Sequence, residues 1–419
     1  MRIEEMVRFF DKRLQYIQTH PERKSRELHT QIMRAYYQRV ADSFRGEVPL
    51  AWISIILPPE LFLSMDLIHF VAENYTIQML AMGKGQQYFD IGAQYGFPTE
   101  ACSPHLATIG IAKAGILPAP KVMIGIAAPP CDSMTTMFEN LSHIYKCPTF
   151  WLDWPYRDEA DIGEEAIQHF KRELEEMVEF VEEHSGARLN HKRLQEFLEI
   201  SKITQDYYLK IHELRKNIPS PLNTREAYAT FGIRITSEGK PETIEYYENL
   251  YQEAMDKVER GIGAVDGERH RMISCGGYPF WYLKLFDWLE EEYKAVMVVD
   301  IHNFIQLERI GDTSDPLECL ARKMVKSWVA AKSLMRPYGY TADELAQRAL
   351  EYKADSFLYF AHFGCKQGCG RFRVVLDTVK EKTGIPAVIV DMDIANPTIV
   401  TAPQIQARVK QYFQMLEAR

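Results

Sequence analysis

Apolar residues recur every three to four positions over residues 1 to about 45 (Met6-Val7, Phe9-Phe10, Leu14, Ile17, Ile32-Met33), a spacing that predicts a helical arm lying on the main body. The pattern then changes to short continuous apolar runs. Pro49 to Leu57, Val122 to Ala127 and Pro148 to Asp153 read as buried strands. Between them lie a helical or mixed segment to about Gly92, a small-residue helix from Leu106 to Ala114, and a helix from Met134 to Ile144. From Glu159 to about Asn217 the chain turns to long charged helices, with Phe170, Leu174, Met177, Val178 and Val181 at helical spacing. Helical character continues from Ile244 to Val258. Strands resume at Arg271 to Cys275, Ala295 to Asp300, Ser356 to Phe360 and Pro386 to Asp391, and an amphipathic helix from about Pro403 to Glu417 closes the chain.

Strands alternating with helices imply parallel sheets joined by crossover helices. The expected fold is α/β, with two similar parallel-sheet domains of the Rossmann or flavodoxin-like kind facing a shared cleft. The expected boundaries are a helical arm at 1–47, a first α/β domain at 48–160, a helical region at 161–268 and a second α/β domain at 269–419.

The two α/β blocks read as copies. Cys131 precedes Pro148 by 17 positions, Cys369 precedes Pro386 by the same 17, and an aspartate lies five beyond each proline, at Asp153 and Asp391. Aligned on the preceding strands instead, the segment ending in Cys131 matches the one ending in Cys365. The second copy then carries one extra turn, Lys366-Gln367-Gly368-Cys369, and with it an extra thiol.

Composition narrows the class. At 419 residues two or three domains are expected, and 46% hydrophobic with 26% charged residues describes an ordinary globular protein. A net charge of −9 argues against non-specific nucleic-acid binding. The first residues lack the apolar core of a signal peptide, and no apolar run is long enough to span a bilayer, so a cytoplasmic protein without membrane partners is expected. In that compartment seven cysteines point to buried, metal-binding or catalytic thiols rather than to disulfides.

Sorted by position, Cys131, Cys275, Cys365 and Cys369 closely follow apolar strands, at the edge where α/β sheets bind ligands. Cys102 opens the small-residue helix. Cys319 sits in the first turns of a helix after the Asp300 strand, where a helix N-terminus favours a thiolate. Cys147 precedes a strand and falls at the opposite edge, although it stays the alternative to Cys319 for a sixth place. A zinc site competes for such thiols, but Cys-x3-Cys lacks the paired Cys-x2-Cys of structural zinc, and ligands drawn from distant strand ends suit an iron–sulfur cluster better.

These stretches carry a family resemblance over nearly the whole chain. Cys102 with its helix and Gly115 to Pro118, the segment Pro130-Cys131-Asp132, Asp315 to Glu318, and Phe363-Gly364-Cys365 with Gly384 to Asp391 resemble the 2-hydroxyacyl-CoA dehydratase and benzoyl-CoA reductase family. The resemblance implies a [4Fe-4S] cluster on Cys102, Cys131 and Cys365, fed with electrons by a separate iron–sulfur ATPase activator. Cys275, Cys319 and Cys369 exceed that set, and they narrow the resemblance to the double-cubane branch, in which six cysteines hold an [8Fe-9S] cluster. The resemblance further implies an oxidoreductase: ATP-dependent, low-potential reduction of a small molecule, in an anaerobic setting and as a homodimer. The alternatives are a CoA-ester dehydratase or reductase subunit with one [4Fe-4S] cluster, and a non-catalytic electron-transfer or metal-binding protein.

The chain has no G-x-x-x-x-G-K-[ST] loop, so no nucleotide is expected in it. His302, Asn303, His362 and Lys366 lie near the same edge and are candidates for proton delivery and for tuning the cluster, with Gly276, Gly277 and Gly364 leaving space around it. For each histidine a purely structural hydrogen-bonding role competes.

Overall fold

The computed structural model describes residues 3–20, 22–127, 131–155, 163–300, 302, 309–327 and 338–418. The chain opens with two helices, α1 (Ile3–Thr19) and α2 (Lys24–Phe44). The first block then runs β1 (Leu50–Ile53), α3 (Pro59–Ser64), β2 (Ile68–Phe70), α4 (Ala72–Ala81), α5 (Gln87–Tyr95) and α6 (Ser103–Lys113). It continues with β3 (Val122–Ile126), α7 (Asp132–Tyr145) and β4 (Thr149–Leu152). Four long helices follow: α8 (Glu164–Ser185), α9 (His191–Leu214), α10 (Thr224–Ser237) and α11 (Pro241–Glu259). The second block comprises β5 (His270–Cys275), α12 (Lys284–Glu292), β6 (Ala295–Val299), α13 (Pro316–Ser327) and α14 (Tyr338–Glu351). It ends with β7 (Ser356–His362), α15 (Lys366–Thr383), β8 (Ala387–Met392) and α16 (Ala402–Glu417).

Both blocks form four-stranded, all-parallel sheets, ordered β2-β1-β3-β4 and β6-β5-β7-β8. The second order is the first with four added to every strand, so the two blocks share one topology. The expected α/β fold of two parallel sheets is therefore present. Central strands β1, β3 and β7 are buried along their whole length, as parallel strands covered on both faces must be, which explains their continuous apolar runs. Edge strands β4 and β8 are only partly buried. At the other edges, side chains satisfy backbone groups. The Tyr36 hydroxyl donates to the His69 carbonyl of β2 at 3.1 Å, and the Arg215 guanidinium donates to the Met297 carbonyl of β6 at 2.8 Å.

The structure departs from the sequence reading in two places. β2 lies inside the segment read as helical or mixed; three residues are too few to establish a strand periodicity. The second is α13, which follows β6 in the chain yet packs on α8 and α9, with Leu317, Leu320, Met324 and Val325 in the core of the first block. The second sheet has its own apolar clusters, one on each face, under α14 and α15 and under α12 and α16. No helix among the described residues is long and apolar enough to cross a membrane.

Candidate metal centre

The carboxyl edges of the two sheets meet. An added Cβ on Gly364 would stand 2.6 Å from the Ala101 carbonyl oxygen and 2.8 Å from the Cys102 Cα, so only a glycine lets these two turns touch. Beside that contact the Ser103 hydroxyl donates to Asp393, whose carboxylate also accepts from the backbone N–H of Ala395 (2.8 Å) and Asn396 (2.6 Å). Further out, Lys366 and Asp132 form an exposed ion pair at 2.6 Å across the seam.

Three cysteines occupy equivalent stations at this seam. Cys102, Cys131 and Cys365 are the N-cap residues of α6, α7 and α15. Three helix N-termini, each with unpaired N–H groups and positive dipole ends, are thus headed by a sulfur. Such a position favours an anionic ligand or a thiolate. Cys365 Sγ already accepts from the Gly368 N–H at 3.2 Å.

The thiols act on one another. Burial pushes Cys102 well above its ordinary value, and Cys131 and Cys365 add to the effect. Cys131 is pushed up to about 12, chiefly by burial, with the Met134 N–H opposing. Cys369, one turn into α15, is raised by burial and then by Cys365, and its Sγ lies 3.3 Å from the His362 carbonyl. Cys275 ends β5 opposite Tyr359 in the sheet register. Burial raises its thiol against Arg371, the Gly276 N–H and Tyr359, and Cys365 raises it further. Cys102, Cys131, Cys275 and Cys369 therefore all lie within electrostatic reach of Cys365. Unligated, thiols held this high keep their protons at neutral pH, and a metal must expel them.

Cys319 is placed elsewhere, which departs from the six-thiol convergence expected from the sequence. It lies on α13 at a cavity of about 390 Å³ lined also by Arg309, Asp315 and Lys323. Burial raises its thiol to about 11, and the charges acting on it are Lys323, Glu60, Glu199 and Lys202. The reason is the docking of α13 on the first core. Cys147 is buried before β4, its thiol pushed up to about 12 by burial alone.

The copies explain where the surplus thiols arise. In sheet register Cys275 faces Tyr359, six residues before Cys365; continuing the register of β1 on β3 brings Ser54 opposite Gly125, six residues before Cys131. Ser54 is thus the counterpart of Cys275. Likewise α15 has 18 residues against 14 in α7, about one turn more, and Cys369 belongs to the longer helix.

The remaining candidates are distributed around the seam. His362 is buried; its Nδ1 accepts from the Ile394 N–H at 3.4 Å and lies 3.5 Å from Asp393, while its buried Nε2 has no hydrogen-bond partner among the described residues. Burial lowers its pKa, against the Asp393 charge. His302 follows β6, its backbone N–H donating to Asp300 at 2.9 Å. Its ring sits among those of Tyr228, Phe231, Tyr278 and Phe280 at centroid distances of 5.1, 5.2, 4.9 and 5.9 Å. Asn303 lies outside the described residues. Lys366 is exposed and engaged with Asp132. Gly276, at φ +85°, packs so closely that a Cβ would stand 2.0 Å from the Phe360 carbonyl oxygen, and one on Gly277 would stand 2.7 Å from Ile394.

Sequence reasoning missed the polar support. The Cys102 N–H donates to the Ser133 hydroxyl (3.2 Å), which stands 2.8 Å from His105 Nδ1, and His105 Nε2 stands 2.8 Å from Glu73. With the serine oxygen accepting from Cys102, its proton goes to Nδ1, and the ring then donates from Nε2 to Glu73. The available signals were the spacings Cys102-x-x-His105 and Cys131-x-Ser133. Nothing in the sequence pointed to Glu73 or Asp393.

The donor set is soft sulfur, partly buried in Cys102, Cys131, Cys365 and Cys369 and fully buried in Cys275, with positive helix ends behind three of the thiols, which suits a thiolate-bound metal group such as an iron–sulfur cluster. Among the described residues, no three His, Cys, Asp or Glu side chains already close on a single ion.

Comparison with known proteins shows the family. The chain is 25% identical over 395 residues to a benzoyl-CoA reductase chain of Thauera aromatica, covering 86% of this chain and 87% of that one. It is 22% identical over 394 residues to the (R)-2-hydroxyisocaproyl-CoA dehydratase alpha subunit of Clostridioides difficile, with 91% and 94% covered. With the (R)-phenyllactyl-CoA dehydratase alpha subunit of Clostridium sporogenes the identity is 21%, over 90% and 91% of the two chains. The family model described as 2-hydroxyglutaryl-CoA dehydratase, D-component, matches residues 54–416, nearly the whole chain, and the chain belongs to that family.

Proposed function

We propose that this chain is the reductase component of a two-component system, holding an iron–sulfur group on Cys102, Cys131, Cys365, Cys275 and Cys369 and reducing a small molecule with electrons from a separate iron–sulfur ATPase. The observation that carries the reading is the surplus of sulfur at one seam: three N-cap thiols match what one cubane needs, and Cys275 and Cys369 stand beside them. In this reading the cofactor is a double cubane; of the six cysteines it calls for, five are those at the seam, and the sixth place, expected for Cys319 or Cys147, is filled by neither as they are placed in this fold. When bound, such a group supplies electrons at low potential. The chain's own residues hold it through thiolates, with the N–H groups of α6, α7 and α15 offsetting the negative charge. Ser133, His105 and Glu73 fix the Cys102 turn, and His302 within its aromatic surround is the candidate to hold a proton near the β6 edge. We further propose that the chain works as a homodimer in the cytoplasm.

A second reading, a CoA-ester dehydratase or reductase subunit with a single [4Fe-4S] cluster, is favoured by the position of Cys319 and by the names of the relatives. Anaerobic purification followed by iron and sulfide quantification separates the two. About eight irons per chain is the expected result, about four selects the single cluster, and zinc without sulfide excludes both. Turnover of a small reducible substrate, dependent on activator and ATP, is expected in addition; its absence with a full cluster would mark an electron store.

A further inference from the structure

Arg371 lies in the second turn of α15, two residues beyond Cys369, and is only 3% exposed. A guanidinium does not lose its proton inside a protein, so a buried arginine needs anionic or hydrogen-bonding company. Tyr359 of β7 supplies part of it. This tyrosine is itself fully buried, donates its hydroxyl to the Gly368 carbonyl at 2.7 Å, and hydrogen-bonds to Arg371. Strand register sets Cys275 opposite the same tyrosine. The same turn reaches the other proposed ligand, because Gly368, whose carbonyl accepts from Tyr359, donates its N–H to Cys365 Sγ at 3.2 Å, and both Cys275 and Cys365 act electrostatically on the guanidinium. In the metal-bound protein the sulfurs of these two proposed ligands are thiolates, and the guanidinium then stands near negative charge.

We infer that Arg371 is a positioning residue, fixed by Tyr359, that sets a permanent positive charge behind Cys275 and Cys365 and so raises the reduction potential of the metal group those residues hold. The inference rests on the iron–sulfur reading proposed for the seam. Reduction adds an electron to a centre already bearing several thiolates. A fixed cation stabilises the reduced form more than the oxidised one, and in a buried site the effect is poorly screened. The competing role is mechanical: Arg371 and Tyr359 together pin α15 to β7. That role predicts a loss of stability without any effect on potential.

The test begins with the wild-type holoprotein, whose iron and sulfide content is measured first; absence of a cluster there defeats the functional reading rather than this one. Arg371→Gln is then purified anaerobically, its iron counted, and its midpoint potential read by a redox titration followed by electron paramagnetic resonance. The expected result is wild-type iron content with a potential shifted to more negative values, and Arg371→Lys, which keeps the charge, returning toward wild type. An unchanged potential in an iron-replete Arg371→Gln protein overturns the inference. Should Arg371→Gln lose its iron, Tyr359→Phe takes its place: freeing the guanidinium must move the potential in the same direction by a smaller amount, and an unchanged potential overturns the inference equally.

Discussion

Gly364 has no space for a side chain, because backbone atoms of another turn fill the place a Cβ would take. Those atoms, the Ala101 carbonyl and the Cys102 Cα, cannot rotate aside as a flexible side chain would. Gly364→Ala must therefore separate the Cys365 turn from the Cys102 turn by some tenths of an ångström or more. Overpacking of this kind costs about 1–3 kcal/mol, which a protein of this size survives folded. The expected outcome is a folded protein with clearly less iron per chain than wild type, read by circular dichroism and iron quantification side by side. Wild-type iron content would mean that the contact does not hold the thiols together. The glycines flanking Cys365 were visible in the sequence, and so was the idea that they leave space. What they leave space for was not, since the partner lies more than 260 positions away in the chain.

At the scale of elements, α13 is decided by charge as much as by its apolar face. Lys323 pairs with Glu60 of α3 and with Glu238 at the end of α10, the latter at 3.2 Å, and the Ser201 hydroxyl of α9 donates to Glu60 at 2.6 Å. All three charged side chains are almost fully buried. Burial pushes the Glu238 carboxyl above its ordinary value, and the lysine beside it opposes that shift. Removing Lys323 leaves the buried Glu60 carboxylate without that cation, while Glu238 keeps Arg234 at 3.9 Å, and the loss of a buried partner costs about 3–5 kcal/mol. Lys323→Met is expected to lose stability on that scale in denaturant titrations, and adding Glu60→Leu to recover part of it. A loss below about 1 kcal/mol would mean that the network is solvated. By contrast, the exposed Arg373–Asp377 pair on α15 is expected to contribute little. The amphipathic pattern of α13 is legible as a helix. It cannot say which of two cores the apolar face will choose, and the neighbourhood of Cys319 goes with that choice.

For the whole molecule, acid sensitivity follows from histidines whose pKa burial lowers, of which His69 is one. His69 of β2 is 2% exposed, and burial, reinforced by Lys240 and Arg39, pushes its pKa down to about 3. The ring is neutral in the fold, whereas in the unfolded chain it takes up a proton near pH 6.5. Its contribution to stability is fully present above 6.5 and is lost as pH falls from 6.5 toward about 3, at about 1.4 kcal/mol per pH unit. Between pH 6.5 and 5 most carboxylates are still ionised, so this limb belongs to such histidines: His29, lowered to about 4, and His212 and His362, lowered as well, act in the same sense as His69. His69→Phe, between the rings of Tyr36 and Phe62, is expected to reduce its slope by up to about 1.4 kcal/mol per pH unit in denaturation curves taken across that range. An unchanged slope would assign the acid limb to other groups.

The linear order of residues determined the alternation of strands and helices, the parallel character of both sheets, the repetition of one block by the other, and the cysteines at strand-to-helix turns, because each depends on periodicity or spacing within some thirty residues. Tertiary structure decided what those patterns meet. Long-range packing brought Ala101 against Gly364, joined Ser103 to Asp393, and gathered Cys275 and Cys369 beside the three N-cap thiols. It also carried α13 and Cys319 away to another core and buried Arg371 beside Tyr359. A hydrophobic face specifies that a residue is buried, but it does not specify against what. That choice belongs to shape and charge complementarity between segments far apart in the chain, and it is what groups five of the seven cysteines at one seam and leaves two apart.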